Sequence, residues 1–98
     1  MRTEEFRNYM EKAEQINSKN KAVSSRISRA NTAESILDAN LDYIVADDDR
    51  MYEALCHIKS DPREQNGKIQ NSVRWYYKFV NGKDFPSLAS YNRSKRYW

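Results

Sequence analysis

Two glycines and two prolines in 98 residues are too few turn-formers for the many tight corners of a β-sandwich or barrel. A single cysteine, Cys56, rules out an internal disulfide, and no CxxC or His-paired spacing surrounds it, so a reducing cytosol fits and structural zinc does not. The opening Met-Arg-Thr-Glu-Glu has no apolar run behind it, and no stretch approaches the roughly 18 apolar residues of a membrane span. The expectation is a soluble cytoplasmic protein without a membrane partner. The lone His57 has no serine or cysteine nucleophile and orienting carboxylate arranged around it, and neighbouring Cys56 points to another side of a helix. Cys56 reads as a small buried hydrophobe. Aspartates 47 to 49 lack the D-x-[DN]-x-[DN]-G spacing of a calcium loop. The sequence therefore predicts no enzyme, no metal site and no cofactor.

What the chain does have is charge, aromatics and regular apolar spacing. Charged residues make up 32% and hydrophobic residues 39%; this is polar for a globular domain, but the aromatics and the spacing separate it from a disordered segment. Its length supports one domain with a modest core and a stability of roughly 5–10 kcal/mol. The net charge of +3 is unevenly spread. Lys19 to Arg29 holds four cations and no acid, Glu34 to Asp49 six acids and no cation, and Ser87 to Trp98 three cations and no acid. Such segregation predicts distinct positive and negative surface regions and suits a binding protein.

The apolar spacing predicts an all-α fold, a compact bundle of four to five short helices. Phe6, Tyr9, Met10, Ala13 and Ile16 mark a first helix capped by Thr3, and Asn17–Asn20 break it. A second helix from Lys19 to Asn31 carries Ala22, Val23, Ile27 and Ala30. Thr32 is expected to cap a further piece after a kink, because Ala33, Ile36 and Leu37 leave the Val23 face. "DANLDYIVADDD" reads as a connector whose Leu41, Ile44 and Val45 enter the core, with Asp47 capping the next helix. That helix, with Met51, Leu55 and Ile58, stops before Asp61-Pro62. "SDPREQNGK" is the main exposed turn and the expected site of flexibility. In the last helix Ile69, Val73, Tyr76 and Val80 form the core stripe with Ser72 and Tyr77 at its edges, and Gly82 is the C-cap glycine. Residues 1–86 are thus read as the helical domain and 87–98 as a basic, aromatic C-terminal tail, with Phe85 and Leu88 docking on the bundle and Tyr91 to Trp98 mobile.

The order of these features resembles the SAM-like, core-binding N-terminal domain of phage-integrase-type tyrosine recombinases. The similar positions are Phe6, Tyr9 and Met10 for the first helix, "AVSSRISRANTAESIL" for the second, Leu41, Asp42 and Ile44 for the acidic connector, and "QNSVRWYYKF" for the closing helix. The resemblance implies a compact helical domain that clamps one side of double-stranded DNA through phosphate contacts. The positions that would inherit that role are Lys19, Lys21, Arg26 and Arg29 in helix two, and Lys68, Asn71, Arg74 and Lys78 in the closing helix. The recombinase catalytic domain is absent from this chain.

Two readings of function follow. The first is a non-enzymatic DNA-binding module, using those positions together with Arg93, Lys95 and Arg96 of the tail. The second is a small inhibitor or adaptor encoded by a phage or mobile element. It would engage a protein or nucleoprotein complex, such as a CRISPR effector of host defence, through Trp75 and Phe79 or through Asp47, Asp48 and Asp49. Trp75 and Phe79 are alternatively explained by packing against the C-terminal segment, and the aspartates by helix capping.

Overall fold

The computed structural model describes residues 1–13 and 19–96, with side chains for 1–13 and 22–92. Six helices are present and no strand occurs among the described residues: α1 (Thr3–Lys12), α2 (Lys19–Leu37), α3 (Leu41–Val45), α4 (Asp48–Lys59), α5 (Lys68–Asn81) and α6 (Leu88–Arg96). α5 is the central element, packed against α1, α2, α3 and α4, while α6 lies on α4.

α1 buries Phe6 and Met10 and places Glu4 and Glu5 in its first turn, where they complement the helix dipole. Thr3 is its first residue, not its cap. Arg2 holds the cap position without a side-chain bond; its own N–H donates to the Tyr76 hydroxyl at 2.9 Å, which ties the start of α1 to α5. The expected continuation to Ile16 lies beyond the end of the helix, and residues 14–18 are outside the described set.

α2 is one helix without the expected break at Asn31-Thr32. The Thr32 hydroxyl donates to the Ser28 carbonyl one turn back, so it rides on the helix and does not restart it. The buried stripe of Val23, Ile27, Ala30 and Ala33 runs on to half-buried Leu37, only about 40° from Val23 at 100° per residue. Asp38, at φ 49°, ends the helix in the left-handed region, and the N–H of Ala39 reaches back to the Glu34 carbonyl.

The predicted connector is itself a helix, α3. Asn40 Oδ1 caps it by accepting from the N–H of Asp42, and Glu34 Oε2 accepts from the N–H of Leu41 at 2.9 Å. Leu41, Ile44 and Val45 are buried, as expected. Asp47 caps α4, its Oδ1 accepting from the N–H groups of Asp49 and Arg50. α4 buries Met51, Ala54, Leu55 and Ile58; Cys56, expected inside, falls on the exposed side with His57.

The 60–67 turn is held by two carboxylates. Asp61 grips Arg63, and Glu64 accepts from the N–H groups of Ile69 and Gln70, satisfying the open end of α5. Asn66 and Gly67 both have positive φ, a geometry that Asn and Gly tolerate best. α5 closes on Gly82 at φ 74°, as predicted. Its buried arc is wider than the predicted stripe: Ser72 and Tyr77 are core, while Val80 is only half-buried.

After Gly82, aromatic packing holds the chain from Phe85 to Tyr91. Phe85 is 4% exposed and meets Tyr77 edge-on at 5.1 Å. Tyr91 packs on Phe85 and Tyr52 at 5.3 and 5.2 Å, and its hydroxyl donates to Asp49. Ser87 Oγ accepts from the N–H of Ser90 at the start of α6. The residues read as a mobile tail are therefore helical through Arg96.

Candidate functional site

α5 turns Trp75 and Lys78 outward on the side that faces α1 and α2. Arg26 of α2 reaches across to place its Cζ 5.7 Å from the Trp75 ring centroid, and Lys78 Nζ lies 5.8 Å from the same centroid. Tyr9 of α1 meets the indole edge-on at 6.3 Å. Two hollows share Trp75 and Lys78. One, of about 260 Å³, is completed by Tyr9, Lys12 and Ala13 of α1. The other, of about 300 Å³, is completed by Asn71, Arg74, Asp84 and Phe85.

Two cations from two helices therefore meet one indole, and Lys12 of a third helix lines a hollow beside it. An aromatic face attracts a cation through its quadrupole, by about 0.5–1 kcal/mol at an exposed site, so the ring holds the positive charges without neutralising them. Arg26 Nε is covered and has no hydrogen-bond partner among the described residues. Lys78 forms one ion pair, with Asp84 at 3.6 Å, but Asp84 is 83% exposed and the pair is weak.

The predicted positions separate into groups. Arg26 and Lys78 converge on Trp75. Arg29 is half-buried one turn further along α2, and Lys68 and Asn71 are exposed on the outer side of α5. Arg74 departs from its expected role as a phosphate contact. Its Nη1 donates to the Phe85 and Pro86 carbonyls at 2.9 and 3.1 Å, its Cζ lies 5.8 Å from the Phe85 ring, and burial pulls its pKa below the ordinary arginine value. It braces the 85–86 turn against α5. Lys19 and Lys21 lie in α2, and Arg93, Lys95 and Arg96 in α6, with side chains outside the described residues.

The expected partner patch of Trp75 and Phe79 also divides. Phe79 packs on Phe6, Tyr9 and Tyr76 at 5.7, 5.4 and 5.5 Å and is covered by Arg2 at 5.2 Å. Both side chains thus pack on Tyr9 of α1, and Trp75 also lines a hollow with Asp84 and Phe85. Asp47 is occupied as a cap, Asp48 accepts from the Tyr77 hydroxyl at 2.8 Å, and Asp49 from that of Tyr91. Burial and the Asp48 bond push the Tyr77 hydroxyl up to about 12. The bond to Asp49 raises that of Tyr91, with some help from burial. Desolvation pushes the Asp42 carboxyl up, but bonds from Tyr76 and Arg2 outweigh it and hold the group below the usual aspartate value.

Tyr9 and Lys12 are the residues that sequence reasoning passed over. Their three-residue step puts them on one side of α1, and that step was the available signal. Among the described residues no three His, Cys, Asp or Glu side chains gather as a metal would require, and no helix is long and apolar enough to cross a membrane. No known protein family matches the chain, and neither a curated protein nor a solved structure does so.

Proposed function

We propose that this chain is a non-enzymatic helical module that binds the phosphate backbone of double-stranded DNA on the face formed by Lys12, Arg26, Trp75 and Lys78. The observation that carries the reading is the convergence of Arg26 and Lys78, from different helices, on one indole. Cations held by a scaffold, with no described ion pair beyond the weak exposed one from Lys78 to Asp84, suit a polyanion: each phosphate they meet releases condensed counterions, and little side-chain ordering remains to be done on binding. Both cations contact the Trp75 ring, so this face offers positive charge more than a bare stacking platform. The resemblance to the SAM-like core-binding domain of tyrosine recombinases, whose second and fourth helices supply phosphate contacts, points the same way, and we assign the bundle to that subclass as part of the proposal.

The test is fluorescence anisotropy of a labelled random-sequence duplex titrated with the protein over a series of salt concentrations. The reading predicts saturable binding whose log affinity falls linearly with log salt, with a slope of about −0.9 per phosphate neutralised. Absence of saturable binding at low salt contradicts it.

A further inference from the structure

A second surface shares no residue with the Trp75 face. α3 turns Leu41, Ile44 and Val45 inward, which throws Tyr43 outward; at 57% exposure it is the exposed large hydrophobic side chain of the described residues. Arg50, in the first turn of α4, lies flat against it, with Cζ 3.9 Å from the ring centroid. Leu37, Ile44 and Ala54 line the hollow beside this pair, a space of about 400 Å³ with Glu53 and His57 also at its edge.

The state of Arg50 is unusual for its position. Asp47, Asp48, Asp49 and Glu53 all lie within three residues of it, yet its side chain forms no ion pair with any described residue, and its Nε is covered without a hydrogen-bond partner. A cation in the first turn also opposes the helix dipole. Stacking on Tyr43 fixes the guanidinium before any ligand arrives and leaves its other N–H groups free, a planar fork that matches a carboxylate. Arginine and tyrosine beside an apolar hollow are the residue types that dominate protein interfaces.

Charge selects among the possible occupants. A nucleic-acid backbone would bring a row of phosphates against Glu53, which lines the groove. A partner with one carboxylate for Arg50 and a cation for Glu53 meets both signs. We propose that the Tyr43–Arg50 groove docks a segment of a partner protein in which an aliphatic side chain is flanked by a carboxylate and by a lysine or arginine. The aliphatic group fills the hollow over Leu37, Ile44 and Ala54, and the carboxylate takes the Arg50 fork. This surface stands on its own observations and holds whether or not the Trp75 face binds DNA.

The experiment selects displayed random dodecapeptides on the full chain, with counter-selection on the Tyr43→Ala/Arg50→Gln variant. Enriched peptides are expected to pair an acid with a nearby aliphatic residue. A synthetic peptide of that class should lose about tenfold or more in affinity on Arg50→Gln and on Arg50→Lys, since lysine keeps the charge but not the fork. Glu53→Lys should shift selection toward peptides without the cation. Tyr43 and Arg50 lie at the surface, and an unchanged melting temperature of each variant separates lost binding from lost fold. The proposal is overturned if no peptide is enriched over the variant, if enriched peptides lack the acid, or if they bind Arg50→Gln as tightly as the parent. It is equally overturned if a short DNA duplex shifts the Tyr43 and Arg50 amide resonances, which would give the groove to nucleic acid.

Discussion

The acids between Glu34 and Asp49 and the cations around Trp75 are equally prominent in the sequence, but the fold uses them in opposite ways. Glu34 accepts from the backbone of Leu41, Asp42 from Tyr76 and Arg2, Asp47 from the first turn of α4, Asp48 from Tyr77 and Asp49 from Tyr91. These carboxylates are structural ligands of helix ends and tyrosine hydroxyls. Arg26 and Lys78 instead meet the Trp75 ring, Lys12 lines a hollow beside it, and the described ion pair among them is the weak one from Lys78 to Asp84. A run of like charge shows where a field originates; whether its members are free depends on what lies within hydrogen-bond reach after folding.

The largest effect separating the two regions should come from Tyr76, which is fully buried and bonds both Arg2 and Asp42. Tyr76→Ala is expected to cost about 3–5 kcal/mol in urea unfolding through the cavity and the lost contacts. Tyr76→Phe should cost about 1–3 kcal/mol by stranding the N–H of Arg2 and one acceptor of Asp42. If Tyr76→Phe is neutral, the acidic segment is not anchored as described.

Asp47→Ala should cost about 1 kcal/mol, the value of an N-cap, and leave the salt slope of DNA binding unchanged. A partner-binding aspartate would show the reverse, lost affinity at constant stability.

Titration gives a third comparison. The folded Tyr77 hydroxyl sits at about 12 against an ordinary 10.0, so folding favours its protonated form. That stabilisation is complete below about pH 10 and is lost as pH rises toward 12. Urea midpoints across this window should fall, and the fall should be shallower in Tyr77→Phe; identical profiles would show that the Asp48 bond contributes nothing. Asp42 works in the other direction. Its folded carboxyl is held below the ordinary 3.8, so its contribution is present above that value and disappears as the solution is acidified.

The smallest effect belongs to Asp84, the exposed partner of Lys78. Asp84→Ala should change stability by no more than about 1 kcal/mol and slightly strengthen DNA binding by releasing Lys78. Weakened binding would place Asp84 among the contacts.

Local features of the fold were readable where a single rule decides them: the Asp47 cap, the Gly82 terminus and the inward positions of α3 all follow from side-chain chemistry or period. The misreadings have physical causes. Thr32 suits a cap, but its hydroxyl bonds the preceding turn. Tyr77 sits at the edge of an ideal stripe, yet α5 packs on several helices at once, which widens its buried arc. α6 has weak periodicity because Phe85, Tyr52 and Asp49 organise it from outside its own sequence. Of the cations of the candidate site, Arg26 and Lys78 were visible one by one and Lys12 was not. Their meeting at Trp75, the diversion of Arg74 to Phe85 and Pro86, and the Tyr43–Arg50 stack depend on contacts between helices that no local pattern encodes.

The central claim is that Arg26 and Lys78 serve phosphate, Lys78 giving up only its weak exposed pair with Asp84, while Arg74 is structural. The most direct test measures the salt slope of duplex binding and the urea midpoint for Arg26→Gln/Lys78→Gln and for Arg74→Gln. The account predicts that the double variant loses about 1.8 from the slope at a stability cost of about 1–2 kcal/mol from its two ring contacts, and that Arg74→Gln keeps its slope and is destabilised by about 1–3 kcal/mol. An unchanged slope in the double variant, or a slope loss in Arg74→Gln at full stability, would contradict it.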